Sequence, residues 1–224
     1  MPGLTGTSLV PFVASRADNY DGLRLVRPPF LPELRLHLAD DAIVLQARLE
    51  AQIGPEFTPF WTNAWAGGQA LTRFVLDRPH LVSGRRVLDV ACGCGVVGIA
   101  AAKAGAAAVT ANDIDPYALA ATLMNADVNG VTLRTAEGDL LDGSGGDAEV
   151  VLVGDAFYDR DLAERMQAFL RRVAARGARI LVGDPNRGHL PDRWLATLAR
   201  YRISGLGAAE DSGITEVSVL GNPG

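Results

Sequence analysis

The sequence predicts an α/β protein: a doubly wound, mostly parallel sheet of seven strands that ends in an antiparallel hairpin. Between residues 86 and 182, short apolar runs alternate with helical patterns, which is typical of a parallel sheet with helices on both faces. A glycine-rich turn follows the first of these runs, where doubly wound sheets bind nucleotides. Near the C-terminus, two strand-like runs are separated only by residues 207–213, so we expect them to pair as a hairpin.

Ahead of the sheet, residues 1–57 are expected to form an arm, and residues 58–224 the main domain. The first 30 residues are rich in Gly, Pro and Ser and predict a loosely packed segment. Residues 34–38 alternate apolar and polar side chains, which predicts a short strand. A helical pattern then runs from Ala42 to Gln52 and ends at Gly54 and Pro55.

The elements of the main domain follow in alternation. Strands are predicted at Arg86–Val90, Ala108–Ala111, Thr132–Ala136, Glu149–Val153 and Arg179–Val182. Helices are predicted at Gln69–Leu76, Val96–Ala104, Pro116–Asn125, Asp161–Arg176 and Asp192–Arg200. The hairpin strands are predicted near Tyr201–Leu206 and Thr215–Leu220.

Composition limits the class of protein. Hydrophobic residues make up 48% and charged residues 21%, a globular balance. The net charge of −5 argues against a broad nucleic-acid surface, which needs a basic excess. No apolar run reaches the ~18 residues of a membrane span, and the N-terminus lacks the pattern of a secretion signal. We therefore expect a cytoplasmic protein that contacts neither membrane nor nucleic acid.

The two cysteines, Cys92 and Cys94, predict neither a disulfide framework nor a metal centre. A zinc site needs further ligands nearby, and His37, His80 and His189 are scattered along the chain. The cysteines are expected to be reduced side chains in a turn.

The turn Asp89-Val-Ala-Cys-Gly-Cys-Gly95 is a candidate ligand loop. Gly93 and Gly95 allow the backbone to turn tightly and to approach a ligand closely. Taken alone, such a turn is also compatible with simple strand-to-helix packing. Gly93, Gly95 and Gly98 have the G-x-G-x-x-G spacing of a dinucleotide-binding loop. The carboxylate of Asp89, however, is unfavourable beside a pyrophosphate and favourable beside a cation. A sulfonium donor with a free amino group fits this loop better.

Acidic residues follow the next two strands. Asp113 comes first after the second strand, where a carboxylate can accept hydrogen bonds from ribose hydroxyls. Asp115 precedes Pro116 and is expected to cap the next helix. Asp139 follows the third strand, and its carboxylate or nearby backbone can meet an adenine edge; a solvated loop acid is the alternative.

These residues resemble class I S-adenosylmethionine-dependent methyltransferases. The resemblance rests on Asp89-x-Ala-x-Gly-x-Gly95, Asn-Asp-Ile-Asp-Pro116, Gly-Asp-Leu140 and the seven-strand ending, and covers roughly residues 60–220. It implies the Rossmann-like methyltransferase fold, with S-adenosyl-L-methionine as donor and S-adenosyl-L-homocysteine as product. Ala91 stands where the family has its first glycine.

A narrower resemblance rests on residues 59–69, on Gly154-Asp-Ala-Phe-Tyr-Asp159 and on Gly183-Asp-Pro-Asn-Arg187. These segments are similar to the electron transfer flavoprotein beta-subunit lysine methyltransferases and their bacterial relatives, and the group is also similar to ribosomal protein L11 methyltransferases. Asp155-Ala-Phe-Tyr158 fits the D-x-x-Y pattern of this wider group. The resemblance implies a protein substrate.

The resemblance also implies a role for each candidate residue. The residues lining the methionine end of the donor would be Asp89, Ala91, Gly93 and Gly95. Asp113 would hold the ribose and Asp139 would lie near the adenine. Trp61 and Trp65 would lie over the donor or at the entrance to the active site. Asp155 and Tyr158 would face the methyl group, orient the acceptor amine and help a water remove its proton.

Several alternatives remain open from the sequence. Trp61 and Trp65 could form one buried helical face, and residues 184–186 an ordinary turn. The arginines of the helix at 161–176 are expected on a solvated face. The acceptor could be a small molecule, since the fold does not fix it. A non-catalytic module with the same fold and a nucleotide-dependent oxidoreductase are the remaining classes, and Asp89 disfavours the latter.

Overall fold

The computed structural model describes residues 22–54, 58–190, 194–203 and 216–222. Its strands are β1 (Leu23–Val26), β2 (Leu36–Ala39), β3 (Arg86–Val90), β4 (Ala108–Asp113), β5 (Arg134–Glu137), β6 (Val150–Gly154), β7 (Arg179–Asp184), β8 (Ala196–Tyr201) and β9 (Val217–Gly221). Its α-helices are α1 (Ala42–Ile53), α2 (Ala66–Asp77), α3 (Val96–Lys103), α4 (Pro116–Val128) and α5 (Arg160–Ala175). Short 3₁₀ turns occur at Phe60–Thr62 and Pro79–Leu81.

The main sheet has the predicted doubly wound architecture. Its seven strands are ordered β5-β4-β3-β6-β7-β9-β8. The first five in this order pair in parallel, whereas β9 is antiparallel to both β7 and β8. The chain runs outwards from β3 to β5, then returns to β6 on the other side of β3. The prediction of a mostly parallel sheet with an antiparallel ending is confirmed.

Helices cover both faces of this sheet because its central strands are apolar on both sides. One core cluster joins α2, α3 and α4 to residues such as Val87, Val150 and Leu181. A second cluster joins α5 to the opposite face, through Leu88, Val151 and others. This two-sided burial is the reason that the strands are continuous apolar runs in the sequence.

The predicted helix at 192–200 is wrong. Residues 191–193 lie outside the described residues, and Ala196–Tyr201 form the edge strand β8, which pairs with β9. The antiparallel pairing is confirmed, but the strand that pairs with β9 is Ala196–Tyr201 and not the predicted Tyr201–Leu206. Most of β8 is exposed, so it lacks an alternating apolar pattern, and Ala, Leu and Arg favour helices when considered alone.

The N-terminal segment also differs from its prediction. β1 was not predicted; it pairs antiparallel with β2, and the two strands form a separate sheet. Leu31, Leu34 and Leu36 are fully buried in the core cluster of the main sheet. The loosely packed arm predicted for residues 1–30 falls on residues 1–21, which are outside the described residues, and on this ordered strand and loop.

The arginines of α5 and its C-cap lie on an exposed face, as predicted, and from there they contact the loop that follows β5. Arg165 forms ion pairs with Asp139 and Asp142, at 2.8 and 3.1 Å. Arg172 and Arg176 donate hydrogen bonds to the carbonyl oxygens of Leu141, Gly143 and Gly146. Across the part of the chain that the structure describes, no helix is long and apolar enough to span a membrane.

Candidate active site

The candidate residues follow the carboxyl ends of β3, β4, β5 and β6, which meet at one edge of the sheet. The registers align these ends: Val90 lies opposite both Asn112 and Val153. The chain reverses its direction of winding between β3 and β6, and a crevice opens at such a reversal in a doubly wound sheet. The loops after β3 and β6 therefore flank one crevice.

The glycine loop after β3 adopts an unusual backbone conformation. Ala91, Gly93 and Gly95 have φ values of 55°, 53° and 78°, in the left-handed region. A Cβ on Gly95 would lie 2.7 Å from the Thr122 side chain on α4, so only glycine fits there. Among the described residues, a Cβ built on Gly93 would have only the Trp61 Cα within 4 Å, at 3.9 Å, so this face of the loop has room for a ligand.

Asp89 lies below this loop and is almost completely buried, with 1% exposure. Its Oδ2 accepts a hydrogen bond of 2.8 Å from the Gly98 N–H at the start of α3. Burial raises the pKa of Asp89 to about 7, against the lowering effect of that hydrogen bond, and the nearby Asp113 raises it further. A buried carboxylate of this kind is stabilised when a cation binds beside it.

Asp113, at the end of β4, organises the same loop. Its Oδ2 accepts a hydrogen bond from Gly93 N–H, at 2.9 Å, and its Oδ1 accepts one from Asp115 N–H, at 3.1 Å. Asp115 caps α4 as predicted, accepting from Tyr117 N–H. Burial raises the pKa of both carboxyl groups. Each oxygen of Asp113 retains a lone pair for a hydroxyl donor.

Asp139 is turned towards α5. Its Oδ1 accepts a hydrogen bond from Leu141 N–H, and its Oδ2 pairs with Arg165. These contacts lower the pKa of Asp139, the Leu141 hydrogen bond most. Both oxygens of the Asp139 carboxylate are therefore engaged within the protein.

Trp61 and Trp65 do not form one helical face, because they belong to different local elements and contact different partners. Trp61 belongs to the 3₁₀ turn, and its indole stacks on Tyr117 at 6.5 Å between ring centroids. Trp65 is the N-cap residue of α2. Trp61 therefore covers the glycine loop from the α4 side, and Trp65 lies on the side of β6 and β7.

Asp155 directly follows β6 and is buried. Its Oδ2 accepts a hydrogen bond of 2.8 Å from Gly67 N–H in the first turn of α2, so it caps a helix to which it does not belong. Its φ of 63° is strained for a residue with a side chain. The carboxylate is thus fixed at the mouth of the crevice by contacts with two other segments, α2 and the loop after β7.

Three aromatic side chains, Phe60, Trp65 and Tyr158, lie near the Asp155 carboxylate and contact one another. The Phe60 ring lies 5.3 Å from that of Tyr158 and 6.2 Å from that of Trp65. Trp65 donates from Nε1 to the Phe60 carbonyl, at 2.7 Å. Partial burial raises the pKa of Tyr158, and Asp113, Asp159 and Asp155 raise it further, in that order. Tyr158 therefore stays a neutral phenol within the field of carboxylates from both β4 and β6.

The sequence interpretation missed two contributors, Phe60 and Arg187. Arg187 donates to Asp155 through Nε, at 2.6 Å, and through Nη2, at 3.2 Å. It occurs in the segment 183–187 that carries the narrower resemblance, but no role was assigned to it. The available signal was the Asp-Pro-Asn turn before it, which reverses the chain towards β6.

The arrangement fits a cationic, ribose-bearing donor. Asp89, Ala91, Gly93, Gly95 and Asp113 form one cluster around a loop whose outer face is open. The cluster combines buried carboxylates with backbone in the left-handed region. Asp155, Tyr158 and Trp65 belong to a second cluster, which Phe60 and Arg187 join together.

Comparisons with known proteins identify the family. Residues 70–154 match the sequence profile described as ribosomal protein L11 methyltransferase (PrmA). The electron transfer flavoprotein beta subunit lysine methyltransferase of Xenopus laevis is 39% identical over 197 residues, which cover 85% of this chain and 80% of the relative. The chain belongs to the electron transfer flavoprotein beta subunit lysine methyltransferase family. The Homo sapiens member is 36% identical over 177 residues, covering 76% of this chain and 68% of that protein.

Membership of the electron transfer flavoprotein beta subunit lysine methyltransferase family makes this chain an S-adenosylmethionine-dependent methyltransferase. Among solved structures, the Pyrococcus abyssi tRNA (uracil-54, C5)-methyltransferase in complex with S-adenosyl-L-homocysteine superposes with a TM-score of 0.52 and 18% identity. The alignment covers 93% of this chain and 48% of that chain. At this identity the likeness concerns the fold, and it confirms the Rossmann-like class.

Proposed function

We propose that this methyltransferase transfers methyl groups to a lysine ε-amine of the electron transfer flavoprotein beta subunit. The observation that carries the proposal is the buried Asp155 carboxylate, which the Gly67 N–H and Arg187 hold near the contacting rings of Phe60, Trp65 and Tyr158. It gives the carboxyl end of β6 a fixed acceptor beside an aromatic group, which suits an amine. The names of the relatives give the substrate class.

In the proposed donor site, the glycine loop carries the methionine end. Asp89 balances the positive charge of the donor, while Ala91, Gly93 and Gly95 allow close backbone approach. Asp113 accepts hydrogen bonds from the ribose, and the backbone beside Asp139 meets the adenine. Bound S-adenosylmethionine supplies a methyl group that is already activated on a sulfonium, so the protein has to align the acceptor and exclude water.

In the proposed acceptor site, Asp155 and Tyr158 orient the lysine. The Asp155 carboxylate accepts a hydrogen bond from the amine, and the neutral Tyr158 phenol provides a second polar contact. Phe60 and Trp65 surround the lysine side chain with apolar surface, which disfavours its protonated form. A free lysine has a pKa of about 10.4, so this lowering is required for attack near neutral pH. The proton leaves to a water at the mouth of the crevice.

The test is methylation of purified electron transfer flavoprotein beta subunit with radiolabelled S-adenosylmethionine, with the labelled residue located by mass spectrometry. Label on lysine is expected with the wild-type enzyme. Asp155→Asn is expected to lower kcat about 100-fold while calorimetric donor affinity is retained. Arg176→Gln, at the opposite edge of the sheet, is the matched control and should behave as wild type.

Other results would contradict the proposal. Label found only in a small-molecule fraction of a lysate would favour the small-molecule methyltransferase that the fold also permits. Full turnover by Asp155→Asn would remove Asp155 from the acceptor site.

Three coarser expectations accompany the proposal. We propose a cytoplasmic location, a protein rather than a nucleic acid as partner, and a division of the chain into an arm at 1–57 and a methyltransferase domain at 58–224. Fractionation, a gel-shift assay with RNA and DNA, and limited proteolysis around residue 57 test them in turn.

A further inference from the structure

Arg187 makes the most extensive side-chain contact with Asp155. Its Nε and Nη2 both donate to the carboxylate, a bidentate pair in which the arginine side chain is 19% exposed and the aspartate 2%. The guanidinium carbon also lies 5.8 Å from the centroid of the Trp65 ring. One side chain thus touches both the carboxylate and an aromatic wall of the proposed acceptor site.

The loop after β7 is folded so that Arg187 reaches this position. The Asp184 Oδ1 accepts a hydrogen bond of 2.6 Å from Asn186 N–H, which closes a turn across Pro185. Asn186 has a φ of 65°, in the left-handed region. This local strain is maintained by the turn, and it returns the chain towards β6.

The ion pair changes what Asp155 does to an incoming lysine. A lone carboxylate within about 4–6 Å of an amine favours the ammonium form and raises its pKa, by 1–3 units in typical cases. An ammonium has no lone pair and cannot attack a methyl group. A carboxylate that is already paired with a guanidinium has little net charge, so it can accept a hydrogen bond from a neutral amine without holding the proton on it.

We propose that Arg187 is a positioning residue for methyl transfer, which fixes the Asp155 carboxylate and neutralises it so that the acceptor lysine is oriented in its unprotonated form. This inference rests on the proposed function, since it takes Asp155 as the acceptor-site carboxylate. The lysine proton passes to bulk water before the nitrogen attacks, and Arg187 itself keeps its protons throughout.

Other charged groups face this pair. Asp184 is buried at the end of β7 and its pKa is raised to about 6, chiefly by burial and also by Asp155. The first turn of α2 carries no acidic side chain. Tyr158 and Asp159 follow Asp155 along the chain, and Asp113, the last residue of β4, acts electrostatically on Tyr158 as both aspartates do. None of these groups is a cation, so Arg187 provides the counter-charge to Asp155 among them.

The test is the pH dependence of kcat, measured on the flavoprotein beta subunit at saturating donor. Arg187→Gln removes the positive charge beside Asp155, so the carboxylate raises the pKa of the acceptor lysine. The acid limb of the kcat profile should therefore move to a pH about one unit higher, and kcat should be about tenfold lower at pH values below the limb. Arg187→Lys keeps the positive charge but loses the bidentate contact of the guanidinium, so kcat should fall several-fold with little change in the pH of the acid limb. The double variant Asp155→Asn/Arg187→Gln lacks the carboxylate charge as well, so its acid limb should return to the wild-type pH.

Thermal unfolding and calorimetric donor affinity verify that each variant is folded. A lower kcat at every pH with an unmoved limb in Arg187→Gln would overturn the proposal and leave a structural role only. The wild-type enzyme provides a second check that needs no variant. With S-adenosyl-L-homocysteine bound, its affinity for the beta subunit should fall as pH drops from about 9 to about 7; a rise would mean that the protonated lysine is held, which contradicts the proposal.

The two proposals fail in different ways. If wild-type enzyme binds donor but does not methylate the beta subunit, the proposed function is wrong and the role of Arg187 falls with it. If the wild-type enzyme methylates lysine and the Arg187→Gln profile is unmoved, only the role of Arg187 is wrong.

Discussion

At the scale of single residues, Asp89 is the carboxyl group whose charged form is most strongly disfavoured by burial. The folded protein holds this carboxyl with a pKa near 7, above the value of about 3.9 in an unfolded chain. The folded state therefore binds a proton more tightly than the unfolded state between these pH values. The free energy of unfolding of the donor-free protein should fall as pH rises from about 4 to about 7. A donor cation would offset this cost.

Asp89→Asn is expected to separate stability from donor binding. The amide oxygen can still accept from Gly98 N–H, and the variant has no buried charge. At pH 8 the donor-free variant should be more stable than wild type by about 2–4 kcal/mol, with little difference at pH 4. Its donor affinity should fall at least about tenfold. Thermal unfolding at both pH values and calorimetry measure the two effects.

The exposed Asp127→Asn is the matched control and should change neither quantity. Equal stability of Asp89→Asn and wild type at pH 8 would contradict the burial argument.

The glycine loop allows a second prediction at this scale. Gly95→Ala combines a positive φ with a Cβ that would lie 2.7 Å from Thr122. Gly130 has a φ of +66° and no heavy atom within 4 Å of a built Cβ, so Gly130→Ala measures the backbone cost alone. Urea unfolding should give a loss of about 1 kcal/mol for Gly130→Ala and about 2–4 kcal/mol for Gly95→Ala. Similar losses would show that the contact with Thr122 relaxes.

At the scale of elements, the start of α2 is pressed against the ends of β6 and β7. A Cβ on Gly67 would lie 2.3 Å from the Gly183 carbonyl oxygen and 2.9 Å from the Asp155 Cβ. This backbone approach brings the first turn of α2 within hydrogen-bonding distance of Asp155. The glycines of these three elements thus determine where the Asp155 carboxylate is held.

Gly67→Ala is therefore expected to destabilise the protein, although helix propensity alone predicts a gain of up to about 1 kcal/mol. The added methyl group meets backbone, which cannot rotate away, and we expect a loss of about 3 kcal/mol. Gly68→Ala is the control, because its Cβ would meet the Val96 Cγ1 at an ordinary 3.4 Å. Chemical denaturation compares the two, and a neutral Gly67→Ala would contradict the proposed packing.

At the scale of the whole molecule, one side chain joins the N-terminal hairpin to the donor loop. Asn125 on α4 is fully buried. Its Oδ1 accepts from His37 N–H on β2, at 2.6 Å, and its Nδ2 donates to the Cys94 carbonyl, at 2.9 Å. Asn129, one turn later, bonds both the N–H and the carbonyl of Arg35. The hairpin is thereby fixed to the same helix that supports the glycine loop.

Asn125→Ala should loosen both regions at once, since it removes the side chain that bonds the His37 N–H and the Cys94 carbonyl, at about 1–3 kcal/mol for each bond lost. Hydrogen exchange should accelerate in residues 36–39 and in residues 92–95, and donor affinity should fall. Asn129→Ala should accelerate exchange in the hairpin only. Unchanged exchange in the glycine loop of Asn125→Ala would mean that the two regions are independent.

Much of the fold followed from local patterns, and the misses have a common cause. The central strands were predicted because they are buried on both faces and are therefore apolar throughout. β8 was predicted as a helix because an edge strand with exposed side chains is specified by its partner β9, not by its own pattern. The α5 arginines were correctly placed on an exposed face, but their partners, the carbonyl oxygens of the loop after β5, have no sequence pattern that would indicate them.

The sequence by itself determined the α/β class, the glycine loop from Asp89 to Gly95 and the family, because these depend on residue order within single strands and turns. Only the tertiary structure decided that Trp61 and Trp65 belong to different elements, that Asp155 caps α2, and that Arg187 pairs with Asp155. Such contacts join residues far apart in the chain, and they arise from the order of the strands in the sheet and the close approach of glycine backbones. Local propensity carries no information about either.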